Sequence, residues 1–461
     1  MRRRPVLALP ALPGLPGLPG LPATLAVLAG SGATSDVSAS EGPEAHQSSA
    51  AYQTGLVRWR ASGAGFVEWE LEGVRRGPDG GLTLDPQTAW PATDPYPPGG
   101  YRGASYYNGG AFLVGEATAP VTAGFPAHQA IASWNAATPE GTWLEALLRA
   151  RLGEAGGGER WTRWYSLGVW ASASGPAGEG VERHSVAGQR DADGDVAVDT
   201  LELDADRPGA TAVQLRLRLF SAAAGAGSMP RVSGAAVALS RLPPARLAPG
   251  APVPAPTAAA GAGDPATWGR VLDLPPCSQM VYPDGGESWC SPTSVAMVLG
   301  FWDGESSTAG CAGRVRAAVE GVYDRVYGGH GNWAFNVAYA ATQGAQGAQG
   351  AQGAQGTEAF VTRLTGLAGA EPWTAAGVPL VLSYGWRRGE LRGAPLPSSN
   401  GHLAVLAGFD GAGDPVLYDP AAPRDSAVRR TYPRAQLEAL WLSHSGGTAY
   451  VIGPPERLKD L

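Results

Sequence analysis

The chain has 461 residues, a net charge of -7 and a pI near 5.5, and Lys459 is its only lysine. That length accommodates two folded regions and a tail, and the acidic balance excludes a nucleic-acid binder that works through a basic face. No apolar run reaches the ~18–20 residues needed to span a bilayer without a Pro or Gly interruption, so no transmembrane helix is expected.

Met1-Arg-Arg-Arg4, an apolar run to Leu28 and Ser31-Gly32-Ala33 have the layout of a secretory signal peptide over residues 1–33, although the repeated prolines prevent a regular helix there. The protein is therefore expected to be secreted. Residues 34–51 are small and polar and read as a disordered tail. From 52 to 243 the pattern is strand-like. Val57-Arg-Trp59 and Phe66 to Leu71 are short aromatic-rich segments, and Thr211 to Leu219 places apolar residues at every second position. That period of two, with Gly/Pro/Asp turns between short strands, predicts an all-β sandwich.

Residues 244–267 form a Pro/Ala/Gly linker. Beyond it, 268–461 reads as an α+β domain: helices over Ser294–Trp302, Arg314–Tyr323 and Trp333–Ala341, then strands at Val378–Ser383, His402–Ala407 and Val416–Tyr418. Gln343-Gly-Ala repeats with period three to Gly356, too short and too poor in proline for a triple helix, so 343–356 reads as a disordered surface insertion.

The chemistry concentrates in this half. Pro292 suits the first turn of a helix, and Val295, Val298, Leu299 and Trp302 give that helix a buried face. Cys290 then sits at the helix N-terminus, where free amides and the macrodipole favour thiolate. Asp410-Gly-Ala-Gly413 marks a turn between the strands bearing His402 and Asp419. If the loop centres on Asp410-Gly411, residues 402 and 419 stand opposite. If it is two residues longer, Asp419 faces Ala404, on the same sheet face as His402. In either register a carboxylate can orient the imidazole. Gln279, ahead of Cys290, is a candidate amide donor to an oxyanion. If Cys290 is a nucleophile, Cys277–Cys311 is the candidate bridge; two buried free thiols fit the sequence equally.

Cys277-Ser-Gln-Met before Trp289-Cys-Ser-Pro-Thr-Ser, Ser399-Asn-Gly-His-Leu-Ala-Val-Leu, Tyr418-Asp-Pro-Ala-Ala and Gly329-His-Gly-Asn-Trp333 resemble the double-glycine (bacteriocin-processing) peptidase-like family of papain-fold cysteine peptidases, in its stand-alone secreted actinobacterial type. The resemblance covers about 268–455. It implies a papain-like fold with Cys290 as nucleophile, His402 as general base, Asp419 as its orienting carboxylate and Gln279 as oxyanion donor. It implies a peptide or cell-wall peptide substrate, no metal and no organic cofactor. Many relatives have Cys-Gly-Pro where this chain has Cys290-Ser291-Pro292, so Ser291 is expected to narrow the site. The transporter-fused members cut after Gly-Gly; here no membrane domain or ATPase accompanies the motifs. A catalytically silent binding module and an acyltransferase are the alternative readings.

Other candidates rank lower. His330 reads as a loop residue and His444 as part of a C-terminal loop. Asp191-Ala-Asp193-Gly-Asp195 lacks the spacing of a calcium loop and reads as a turn of solvated acids. The eight tryptophans from Trp59 to Trp170 read as core, with polysaccharide or wall contact as the functional alternative.

Overall fold

The computed structural model describes residues 52–62, 65–154, 156–172, 181–204, 206–222, 229–241, 263–346 and 356–459. The expected signal peptide and tail, the expected 244–267 linker up to residue 262 and residues 347–355 of the expected 343–356 insertion lie outside the described residues; of the rest, Pro265–Thr267 forms a helical turn and 343–346 belong to a helix, not to a disordered insertion.

The N-terminal half is strand-rich. In one antiparallel sheet the order is Gly194–Ala197, Thr200–Leu203, Gln129–Ala137, Arg231–Arg241, Leu82–Leu84 and Val74–Arg76, with Gln53–Arg60 also paired to Arg231–Arg241. A second sheet is centred on Thr142–Gly153 and Ala210–Ser221. Leu82, Leu84 and Val237 from the first sheet share one core cluster with Leu148, Leu215, Leu217 and Leu219 from the second. The alternation read from the sequence has this cause: Leu215, Leu217 and Leu219 face the core, while Arg216 and Arg218 lie on the opposite face, part-exposed, beside a buried Gln214.

That outer face is not simply wet. Arg216 and Arg218 pair with Glu116 at 2.6 and 2.7 Å, and Arg149 and Arg216 lie over the Trp164 ring. The Phe66–Leu71 segment also departs from a strand. Phe66 and Trp69 are buried from a turn and pack edge to face at 5.1 Å, and the strand itself covers only Glu70–Glu72.

The C-terminal half mixes helices and strands. Its seven-stranded antiparallel sheet runs Glu358–Arg363, Thr448–Gly453, Leu380–Trp386, Ser399–Phe409, Pro415–Tyr418 and Arg429–Thr431, with Arg270–Val271 added beside Ser399–Phe409. Helices α1 (Cys290–Trp302), α2 (Cys311–Val322), α3 (Trp333–Gln346), α4 (Leu367–Ala375), α5 (Arg434–Ser445) and α6 (Pro455–Leu458) complete it. Helix α1 was expected to bury one face; instead every residue from Ser291 to Gly300 is buried. It lies against the sheet, against α2 and against α3, which leaves it no solvent side. Helix α3 runs five residues beyond the expected end at Ala341.

From Ser49 onward the two halves form one compact unit. Phe335 of α3 packs against Trp134 and Trp170 of the strand-rich half, at centroid distances of 6.2 and 5.4 Å. The Asn135 amide binds the Ala359 backbone in both directions, at 2.6 and 3.2 Å, and Arg60 meets Glu358 at 2.8 Å. Buried aromatics and a matched side-chain amide across a junction are features of a shared core, not of a tethered appendage.

Candidate active site

Cys290 is the first residue of α1, follows the N-cap residue Trp289 and is half-buried. An α-helix leaves its first amides without intrahelical partners, so the nucleophile candidate stands where backbone N–H groups are open. The helix is pinned behind it. Ser294 Oγ donates to the Leu403 carbonyl at 3.2 Å, and Trp302 Nε1 donates to the Ile452 carbonyl at 2.8 Å. Ser291 shares a 2.9 Å hydrogen bond with the Tyr450 hydroxyl and does not line the cavity in front of Cys290. The expectation that Ser291 narrows the site fails because its hydroxyl is satisfied inside the protein.

His402 lies on the Ser399–Phe409 strand opposite Tyr384 and is buried, its ring nearly perpendicular to those of Tyr384 and Trp386. Its Nε2 donates to Asp419 Oδ1 at 2.8 Å, and the thiol of Cys290 is also within hydrogen-bonding reach of the ring. The register behind this pair is the longer-loop alternative. Val405 faces Tyr418, so Asp419 follows opposite Ala404 and shares the face of His402. A bulge makes this happen: Ala407 is an extra residue between the Leu406–Leu417 and Gly408–Val416 pairs. Without it Asp419 would face Val405 and point away. Gly408 has φ of +148°, and a Cβ there would fall 2.1 Å from the Arg270 carbonyl oxygen, so the bulge requires glycine.

Asp419 is fully satisfied. Besides His402, the Ala421 N–H donates to Oδ1 at 2.9 Å, and the Tyr432 and Tyr384 hydroxyls donate to Oδ2 at 2.6 and 3.3 Å. Burial works against the ionised carboxyl, but these donors hold it below the usual carboxylate range. Burial likewise works against a charged His402; Asp419 and the Cys290 contact override it and raise the imidazole well above the ordinary histidine value. The two tyrosines were missed from sequence. Nothing in their local pattern separates them from core aromatics, and both phenols are held protonated by burial and by Asp419.

Gln279 is buried in a short turn and its backbone N–H donates to the Pro420 carbonyl at 2.8 Å, which ties it to the segment just after Asp419. Its Nε2 donates to the Gly286 carbonyl at 2.7 Å. The loop from 279 to 290 is long but compact, being two single-turn helices, Gln279–Val281 and Gly286–Ser288. Cys277 and Cys311 form a disulfide that joins the start of this loop to α2, and Cys290 is the free thiol.

Gln279, Cys290 and His402 line a single cavity of about 960 Å³. His330 and His444 line it too. His330 packs against Trp289 and Tyr323, its Nδ1 has no partner among the described residues, and burial pushes its pKa down. His444 belongs to α5 and not to a loop. Its closeness to Gly385 and Gly401 puts it at the cavity, a placement no local motif announces. Among the described residues, no group of three or more His, Cys, Asp or Glu is arranged to hold a metal ion.

The acids of the 191–195 turn are not merely solvated. Asp193 is held bidentately by Arg160 at 2.7 and 2.6 Å, and Asp191 accepts from Tyr165 and Arg163. Of the tryptophans, Trp69, Trp134, Trp143 and Trp170 are buried, and Arg149 covers Trp161 and Trp164 at 4.4 and 4.6 Å. Trp90 is the exposed one of the eight.

A family model described as the peptidase C39 N-terminal domain, of actinobacterial type, matches residues 56–240. A second, described as a peptidase C39-like family, matches residues 271–449. No curated protein and no solved structure matches the chain.

Proposed function

The chain belongs to the peptidase C39-like family, and from that premise we propose that it is an exported cysteine peptidase with a papain-like catalytic half, acting through Cys290, His402, Asp419 and Gln279. The observation that carries this is the 2.8 Å His402–Asp419 hydrogen bond, with the Cys290 thiol also within reach of the imidazole. Asp419 stabilises the charged imidazole, so the thiol proton can rest on His402 and leave sulfur as the nucleophile.

The Cys290 thiolate adds to the carbonyl carbon of a peptide bond. The oxygen that becomes anionic meets the open amide at the start of α1 and the second Nε2 proton of Gln279. Collapse breaks the C–N bond, His402 gives its proton to the departing amine, and a thioester remains on Cys290. Water then attacks the thioester; His402 takes its proton, and the carboxylic acid leaves as the thiol is restored. A peptide substrate accords with the family, and wall peptides are the natural class for an exported enzyme. Export is supported by the layout of residues 1–33 and by the Cys277–Cys311 disulfide, since such bonds persist in oxidising compartments.

The test is the rate of Cys290 alkylation by iodoacetamide at pH 6 in the wild type and in His402→Ala, beside a peptide-library cleavage screen with Cys290→Ala as control. The expected result is alkylation at least about tenfold faster in the wild type, and cleavage absent from Cys290→Ala. Equal alkylation rates in the two proteins would sink the ion-pair mechanism.

A further inference from the structure

The strand-rich half reaches into the cavity. The hairpin Gly194–Leu203 lines it through Val198, Asp199, Thr200 and Glu202, in the same cavity as Cys290 and His402. It is held there from two sides. Thr200–Glu202 pair with Gln129–Ile131, and the Asp199 carboxylate accepts from the Trp333 N–H at the start of α3 and from Thr200 Oγ1 at 3.1 Å. At its tip Val198 has φ of +62°, a left-handed conformation that a β-branched residue adopts only when its surroundings impose it. Such strain concentrates at ligand-binding sites.

Two carboxylates stand exposed at the cavity, Glu202 and Glu287; Glu202 Oε1 accepts from Gln129 Nε2 at 2.7 Å, and neither has an ion-pair partner among the described residues. Among the described residues no lysine lines the cavity, and the one arginine that does, Arg363, is buried against the oxygens of Gln129, Ser240 and Thr448. His128, only 5 % exposed, also lines it, and its Nδ1 has no partner among the described residues.

We propose that the 194–203 hairpin is a substrate-selecting wall of the catalytic cavity, and that it favours peptides carrying a cationic group, an Arg or Lys side chain or a free ammonium, in the stretch that lies between Glu202 and Glu287. This rests on the peptidase reading for the identity of the ligand as a peptide, while the charge preference is a property of the wall. An ammonium or guanidinium brings donors only, which suits carboxylates. Salt screens exposed charges, so the preference weakens as ionic strength rises.

The experiment measures binding of fluorescent peptides to the full-chain Cys290→Ala protein by anisotropy, and cleavage of the same peptides by the wild type. The peptides are paired, with Arg or Lys against Gln or Leu at each position. The expected result is cationic peptides binding at least about tenfold tighter than their neutral partners, with the difference reduced to under about threefold by Glu202→Lys and by Glu287→Lys. Both positions are exposed, so neither change threatens folding. Equal binding of the paired peptides, or a preference that survives both changes, overturns the inference. Cleavage without charge preference sinks the wall and leaves the peptidase; charge preference without cleavage sinks the peptidase and leaves the wall.

Discussion

Two buried aspartates, one from each half of the chain, behave in opposite ways. Asp419 stands behind His402 and Asp199 stands in the hairpin wall, and both are removed from water, at 0 % and 4 % exposure. Burial penalises the charge of each. Asp419 is nevertheless held below the usual carboxylate range, because a charged imidazole, two phenols and a backbone amide surround it. Asp199 is pushed up to about 6, because its donors, the Trp333 amide and the Thr200 hydroxyl, are neutral. Neutral hydrogen bonds relieve desolvation only in part; a full countercharge reverses it. The same residue type is thus favoured as an anion in one half and pushed toward its neutral form in the other.

The contrast can be broken most severely at Asp419. Asp419→Asn keeps the shape but removes the charge that stabilises the imidazolium, and kcat is expected to fall by about 10³–10⁴-fold with KM little changed. Steady-state kinetics on any peptide cleaved by the wild type checks it, and a loss under tenfold would detach Asp419 from the mechanism.

The register that places Asp419 is the next target. Gly408→Ala forces a Cβ toward the Arg270 carbonyl at a φ that disfavours side chains, with an expected cost on the order of 3 kcal/mol in urea unfolding. Alkylation of Cys290 at pH 6 is expected to slow as well, because the bulge sets which face Asp419 presents.

Asp199 sharpens the other side. Its folded value lies above the unfolded one, so the folded protein holds the proton more tightly. The destabilisation from burying the carboxylate is then present in full above about pH 6, and it disappears as the pH falls toward the unfolded value near 4. This contribution is on the order of 3 kcal/mol. Asp199→Asn should unfold with a stability that no longer rises between pH 7.5 and pH 4.5 relative to wild type; parallel curves for the two proteins would contradict it.

The smallest effect is expected at the hairpin tip. Val198→Gly releases the left-handed strain but adds freedom to the unfolded chain, for a net gain of under about 1 kcal/mol in denaturant titration. A net loss would mean that packing of the valine side chain outweighs its backbone strain.

Much of this site was readable before folding. The placement of Cys290 at a helix start follows from Pro292 and the apolar spacing behind it, and the proximity of His402 and Asp419 follows from a turn signal between two apolar strands. These are local patterns, set by which backbone each residue tolerates and by the periodicities of helix and strand. Other features required the folded chain. The choice between the two hairpin registers depended on one extra residue at Ala407 and on the approach of Arg270 to Gly408, a contact between segments more than a hundred residues apart. Tyr384 and Tyr432 look like core residues until a buried carboxylate is found beside their hydroxyls.

The sequence assigned an acidic turn at 191–195 and nothing to the 194–203 hairpin, whose place at the cavity arises only where the strand-rich half meets α3. Periodicity and turn chemistry write the elements and the reactive side chains into the chain locally. Burial, register and the pairing of charges arise from distant segments brought together, and no short stretch of sequence contains them.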